Sequence, residues 1–412
     1  MDAALIWDWA TFAMRWLHVV TAVAWIGSSF YFIALDLGLR QAPDLPKGAA
    51  GEEWQVHGGG FYHIRKYLVA PERMPEHLTW FKWESYATWL SGAGMLILVY
   101  WHRADLFLID PAKIDWAPWQ GMAISAASLT LGWLVYDRAC KSRLGDYPAA
   151  FMALLLVALT AMAWGYGQIF TDRAAFVHLG AYTATIMTAN VFLIIIPNQK
   201  IVVADLKAGR TPDPKYGKIA KLRSMHNNYL TLPVVFFMLS NHAPLAFATR
   251  YAWAIAALVF LMGVTIRHWF NSRHARKPAP YWTIPATVLL FGLCVWLSTL
   301  GPREAPEEEA ALSGTALQFA QAPGFEEVAS LVTANCAMCH TREPAYEGIL
   351  SAPKGLVLDT PEAVARAAEP VFIFAGLTTA MPPGAANFLT PEDRAAIRSW
   401  YRAGAEAELA QN

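Results

Sequence analysis

Charge is scarce in this chain. Only 16% of its 412 residues are Asp, Glu, Lys or Arg, and the formal net charge is zero. There is no basic excess to hold a polyanion, so nucleic acid is not an expected partner. Cysteine is rarer still, with four residues, two of them in one short motif near the C-terminus. There is no internal repeat of fixed period. The start, MDAALIWDWA, lacks the basic stretch and small-residue cleavage site of a signal peptide, so the first apolar helix is expected to be retained. What fills the chain instead is apolar: 56% of residues are hydrophobic, with 18 Trp and 15 Tyr of the kind that anchor helix ends at a membrane surface.

A spanning helix needs about 20 mostly apolar residues. Eight stretches qualify: 11–35, 82–101, 119–136, 147–170, 174–196, 227–247, 250–268 and 282–300. Backbone in lipid must satisfy its own hydrogen bonds, so each is expected to be helical. Pro233 is expected to kink the sixth, and the third, short and rich in Ser, Thr and Gly, is the weakest. Lys and Arg favour the loops after the first, third, fifth and seventh stretches. The other side of the bilayer has only Arg103, Lys113, Arg173, Arg250 and Arg303. The asymmetry places the first set in the cytoplasm and both termini outside. After Gly301 the composition changes. Residues 301–323 read as an acidic Pro/Ala-rich linker, and 324–412 as a small domain of short amphipathic helices.

That domain opens with Cys336-Ala-Met-Cys339-His340, the pattern of c-type haem attachment. Two thiols on one turn can both add to the haem vinyl groups, and the next residue presents its imidazole to the iron. A thioredoxin-like reading would need a βαβ pattern, and none is visible. A zinc site would need two further ligands, and no Cys or His follows residue 340. His340 and Met381 are the expected axial ligands; Met381 sits in TTAMPPGAANF, a proline-fixed loop suited to approach the iron from the far side. Thr390 then caps a closing helix with Pro391 in its first turn and Ala396, Ile397, Trp400 and Tyr401 along one stripe. The segment resembles a class I cytochrome c domain. The expected fold is therefore all-α: an eight-helix transmembrane domain (1–300), the linker, and a cytochrome c domain carrying one covalent haem c through Cys336 and Cys339. Haem of this type is attached outside the bacterial cytoplasm. That agrees with the charge count and implies a multi-pass inner-membrane protein with a periplasmic tail.

One cytoplasmic loop stands out, HGGGFYHIRKYLVAPERMPEHLTWFKWESY at 57–86. Its three glycines permit close backbone approach to a ligand, or merely a turn joining an interfacial element. This stretch, with RWLHVVTAVAWIGSSFYF (15–32) and SMHNNYLTLPVVFFMLSNH (224–242), resembles the integral-membrane urate oxidase family. The resemblance covers essentially the whole chain. It implies oxidation of urate to 5-hydroxyisourate in purine breakdown, with electrons leaving through the haem to a soluble cytochrome or terminal oxidase. Urate is planar, aromatic and anionic, and calls for a stacking face, a cation and amide-type partners. Candidates for binding it are His57, Gly59, Phe61, Tyr62, Trp80, Trp83, Lys66, Arg223, Asn227 and Asn228. Candidates for catalysis are Glu84, His63 and Arg65.

A cytoplasmic site and an external haem would be separated by about 30 Å of hydrocarbon. Intramembrane histidines are therefore of interest. His18 and His178 are expected in the outer half, where they would bind a b-type haem, line a polar path, or simply hydrogen-bond between helices. His226, His242 and His268 read as helix-end residues, Cys140 and Cys294 as small hydrophobes, and Asn190 with Pro197 as a polar interruption that lines a cavity. A pure electron-transfer subunit without a substrate site is the alternative reading of the whole.

Overall fold

The computed structural model of the protein describes residues 3–411 except 68–70, 72–74, 112, 301–311, 313, 347–348, 350–351 and 384–387. Arg73, Arg303 and positions 301–311 and 313 of the expected linker thus lie outside the described residues. A helix covers each of the eight apolar stretches. They are α1 (Ala3–Gly38); α2 (Trp83–Met95), which continues as a π-helical stretch, Leu96–Trp101; then, after the single turn α3 (Ala104–Phe107), α4 (Pro118–Lys141) and α5 (Pro148–Ile169). Next come α6 (Asp172–Ala189), running on through a second π stretch (Asn190–Ile195) into α7 (Ile196–Lys207), then α8 (Pro214–Leu239), α9 (Ala252–His274) and α10 (Thr283–Ser298). Four helical runs are long and apolar enough to cross a membrane: Ala4–Gly38, Pro148–Ile169, Asp172–Lys207 and Ala252–His274.

The helix starts are written locally. Pro118, Pro148 and Pro214 open their helices, where a missing N–H costs nothing. The Thr171 hydroxyl accepts from Ala174 N (3.2 Å) and the Asp213 carboxylate from Lys215 N (2.9 Å), each satisfying an orphan donor. The third stretch, weakest in the sequence, is a full helix of 24 residues. The sixth begins earlier than its apolar run, at Pro214, and the helix carries through Pro233.

α6 is the centre of the helical body formed by α1–α10. It packs against α2, α4, α5 and α8, and buries Phe176, His178, Leu179, Tyr182, Ile186 and Met187. Glycines permit the close approach of α4 to α6 and of α9 to α8. A Cβ on Gly132 of α4 would fall 1.8 Å from the Tyr182 ring, and one on Gly263 of α9 would fall 2.6 Å from Pro233 Cδ.

The all-α expectation needs one correction. The loop after α1 holds an antiparallel hairpin, β1 (Ala49–His57) and β2 (Gly60–Tyr67). The glycines serve its two-residue turn. Gly58 and Gly59 have φ of +59° and +79°, the pair of positive values that a type I′ turn demands, and His57 pairs with Gly60. The sequence EEWQVH–GG–GFYHIR alternates as a strand pair should, but the uneven polarity of its faces hid the pattern. Glu52 on β1 accepts from His63 Nε2 (2.7 Å) and Arg65 Nε (3.1 Å) on β2, and Trp54 stacks on His63 at 4.1 Å.

Residues from Gly314 onward form a second core. α11 (Gly314–Gln321), α12 (Phe325–Cys336), α13 (Pro361–Arg366), α14 (Ala368–Val371, continuing as π-helical Phe372–Leu377) and α15 (Pro391–Gln411) enclose Phe319, Val328, Val332, Val364, Ile397 and Trp400. Tyr401 stacks on Phe372 at 4.0 Å, and Trp400 Nε1 donates to Phe319 O (2.9 Å). Thr390 and Asp393 cap each other's backbone N–H across the first turn of α15, as the sequence signals.

Gly132→Ala should destabilise the protein by about 1–3 kcal/mol, since Tyr182 has to leave its place. Gly165→Ala, whose added methyl meets nothing within 4 Å, should be neutral or stabilising; thermal unfolding in detergent compares the two. The hairpin gives a pH prediction. The hydrogen bond from His63, and then that from Arg65, hold the Glu52 carboxyl below its ordinary value of 4.5. A carboxylate lowered on folding stabilises above its unfolded pKa, and that contribution is lost as pH falls through the folded one. Amide exchange on 49–67 should therefore accelerate below pH 4.5, and Glu52→Gln should abolish that acid limb.

Candidate functional site

Among the described residues of the helical body, the largest buried polar constellation that contains an ion pair lies on α4, the α6–π junction and α8. Its centre is an ion pair: Arg223 Nη2 donates to Asp137 Oδ1 at 2.6 Å, with the two side chains 2% and 7% exposed. Lys141, out at the surface, holds the other Asp137 oxygen at 2.6 Å. Arg223 Nη1 donates to Asn190 Oδ1 (3.0 Å).

From there the donor logic runs one way. Arginine only donates, so the Asn190 oxygen must face it and the Asn190 amide must donate. It does so to Tyr136 Oη (3.0 Å) and to Asn227 Oδ1 (3.0 Å), and Asn227 Nδ2 in turn donates to Met187 O (2.9 Å). With its oxygen accepting from Asn190, Tyr136 donates its proton to His226 Nδ1, 2.7 Å away. His226 is thereby fixed with its own proton on Nε2. That atom is buried and has no partner. His226 itself is fully buried and stacks on Phe151 at 4.7 Å. A buried N–H without an acceptor costs about 1–3 kcal/mol, which marks the atom as one that awaits something.

The sequence candidates divide. Arg223 and Asn227 belong to this constellation. Asn228 lies beside it and accepts from Arg267 Nε (2.7 Å), whose guanidinium lies 4.1 Å over Phe30. The loop candidates are elsewhere. His57 and Gly59 form the exposed hairpin tip, and Phe61 and Tyr62 are exposed beside it. His63 and Arg65 are engaged with Glu52, and Lys66 pairs with Asp36 (2.5 Å). Trp83 is exposed at the start of α2 with Lys82 over its ring, Trp80 is half-buried just before it, and Glu84 Oε2 is buried without a partner one residue further on. The hairpin and the polar core are thus separate features, not one pocket.

His18 and His178 are not brought together either. His18 Nδ1 bonds Thr88 O (3.0 Å) and Ser91 Oγ (3.1 Å) on α2. His178 Nδ1 donates to Ala174 O (2.7 Å), and its Nε2 accepts from Ser125 Oγ (2.8 Å). Both nitrogens of His178 thus have hydrogen-bond partners within the protein.

Sequence reasoning missed Asp137, Tyr136 and the part played by His226. The usable signal was spacing: 223, 226, 227 and 230 share one face of α8, and three of the four are polar inside an apolar protein.

The second candidate site is the Cys-x-x-Cys-His turn. α12 ends at Cys336, and the N–H groups of Cys339 (3.1 Å) and His340 (2.8 Å) both return to Cys336 O. Burial, and then the neighbouring Cys339, push the Cys336 thiol up to about 11. A redox-exchange cysteine needs the opposite shift. His340 is held below its ordinary value by burial, and so is neutral. Its Nδ1 donates to Leu356 O at 2.8 Å, leaving the Nε2 lone pair free. That is how a protein orients a metal-ligating imidazole. Across the domain, Arg394 donates to the carbonyls of Ala375, Thr378 (2.9 Å) and Met381 (3.1 Å), fixing the loop that carries Met381. Among the described residues no three His, Cys, Asp or Glu side chains gather into a metal site, as structural zinc would require.

The C-terminal region meets the α1–α10 body through a small polar contact. Arg103, just beyond α2, donates through Nη1 to Glu369 Oε2 (3.0 Å) and through Nη2 to Arg366 O (2.9 Å). Arg173, at the start of α6, donates through Nη1 to Lys354 O (3.2 Å) and through Nε to Asn241 Oδ1 (2.7 Å).

Asp137→Ala should cost about 3–5 kcal/mol by leaving Arg223 buried and unpaired. Lys141→Ala, at the exposed end of the same chain of bonds, should cost at most about 1 kcal/mol. Unfolding in detergent separates them.

A family model described as Urate oxidase N-terminal matches residues 4–298, from α1 to α10. No curated protein and no solved structure matches the chain.

Proposed function

We infer the activity from one premise: this chain belongs to the urate oxidase N-terminal family. Its body oxidises urate to 5-hydroxyisourate, and its tail carries the electrons away. The balance is urate plus water giving 5-hydroxyisourate, two protons and two electrons. The body crosses a bacterial inner membrane eight times, with both termini and the cytochrome c-like tail outside, and a soluble cytochrome or terminal oxidase accepts the electrons.

The family match carries the substrate class. Support for the outlet comes from the tail. Cys336 and Cys339 would hold one haem c covalently, with His340 Nε2 and Met381 as its iron ligands. The haem would accept and release one electron at a time. The protein's own part is to hold His340 neutral and oriented through Leu356 O, to anchor the Met381 loop through Arg394, and to bury the Cys336 side of the turn.

In the body, the polar core is the place with the chemistry a planar anion needs. Arg223, Asn190 and Asn227 set its polarity, and His226 Nε2–H is the donor left without an acceptor. A purine carbonyl is a suitable acceptor for it. The core is buried in apolar surroundings, where such a bond is worth more than in water.

Urate added without oxygen to the oxidised full-length protein should reduce its haem, read as growth of the α-band. A haem that dithionite reduces and urate does not would make the protein an electron relay without a substrate site. His226→Ala should weaken urate-driven reduction by about tenfold or more, the equivalent of one buried hydrogen bond to a charged group. Reduction by dithionite should stay unchanged.

A further inference from the structure

We propose that the turn Pro353–Leu356 is where electrons arrive in the C-terminal domain, and that Arg173 and Arg103 are the positioning residues that seat it on the membrane body. This rests on the functional reading above and names the route it leaves open. The polar core and the seated end are far apart. Arg173 lies in the first turn of α6 and Asn190 just past its last residue, roughly 26 Å along the helix at 1.5 Å per residue. Whatever leaves the core must pass to the tail at the Arg173 end.

The contact there is specific. Tyr100, 5% exposed, donates its hydroxyl to Asn241 Oδ1 (3.1 Å), and Arg173 Nε donates to the same oxygen. Arg173 then reaches out to Lys354 O. Two residues on, Leu356 O receives His340 Nδ1–H. One turn therefore offers one carbonyl to Arg173 of the helical body and another to His340. The path Tyr100–Asn241–Arg173–Lys354–Leu356–His340 is continuous through covalent and hydrogen bonds.

The turn is also strained for this role. Lys354 is a non-glycine residue at φ +58°, in the left-handed region, and is followed by Gly355 at +70°. Such a conformation persists where surroundings over-determine it. Here Lys354 Nζ lies 5.1 Å over the Phe374 ring while its carbonyl is given to Arg173. Arg103 supplies the second point of attachment, on Glu369 and Arg366 O, with its side chain and that of Glu369 only 12% and 14% exposed. Two points fix an orientation where one would allow rotation.

The test uses the full-length holoprotein in detergent, with two readouts. In the double variant Arg103→Ala/Arg173→Ala, peptides covering 353–356 and 366–369 should exchange amide hydrogens faster. Urate-driven haem reduction should slow by about tenfold, as the seated population falls. Haem content and reduction by dithionite should match wild type, which rules out a folding defect. The swap Arg103→Glu/Glu369→Arg should restore part of what Arg103→Glu alone loses. Wild-type exchange in the double variant overturns the seating, and a wild-type rate of urate-driven reduction overturns the route. A wild-type haem that urate leaves oxidised overturns the functional reading instead, and the exchange comparison alone then decides the seating.

Discussion

The helical body is organised around the buried ion pair of Arg223 and Asp137. Arg223 and Asp137 are both inside, and neither is tolerable there alone, because an isolated charge in so apolar a medium costs several kcal/mol even after relaxation. Each remaining bond in the core follows from satisfying that pair. Arg223 has a donor to spare, so it turns the Asn190 amide. Asn190 turns Asn227 and takes up the oxygen of Tyr136. Tyr136 sets the tautomer of His226. A single charge choice on α8 thus propagates across three helices and ends on one nitrogen that the protein does not use. The backbone makes room at the same place: the helix that carries Asn190 changes there from α to π, the kind of local departure that recurs at functional positions.

Much of the helix layout was legible because lipid leaves so few options. Apolar length and self-satisfied backbone identify helices whatever their partners, which is why even the Ser- and Thr-rich stretch at 119–136 is a helix. The closing helix of the tail was legible for a different reason, since Thr390, Pro391 and Asp393 form a local code read without tertiary context. The hairpin at 49–67 failed on both counts. Its strands have no buried face to enforce alternation, and its glycine turn, HGGG, looks the same in sequence as a loop that cradles a ligand. Only the dihedral angles of Gly58 and Gly59 separate the two.

The site candidates failed in a related way. His63 and Arg65 carry the residue types that catalysis favours, but types say nothing about who else competes for them, and Glu52 on the paired strand holds both. Asp137 was invisible for the opposite reason. It stands one residue past an apolar run, where an acid looks like a helix end meeting water, yet α4 continues to Lys141 and keeps it inside. Arg223, a urate-binding candidate by its type, is in the core, where Asp137 holds it. A charge that sets topology and a charge that anchors a core are the same letter in the sequence, and only the early start of α8 at Pro214 tells them apart.

The proposed reaction adds a constraint that bears on where it can happen. Urate gives up two electrons, and a single haem takes one. Between the two departures a half-oxidised purine has to be held where neither solvent nor a second molecule can reach it. An exposed hairpin tip cannot do that. The core beside Phe151 and Tyr136 is shielded from solvent, and its hydrogen bonds are fixed in advance by the ion pair except at His226 Nε2. The cost of such burial is distance from the outlet. On this reading the body is built around that compromise: chemistry where the protein is driest, delivery at the far end of the same helix, and two arginines there to hold the acceptor domain in place.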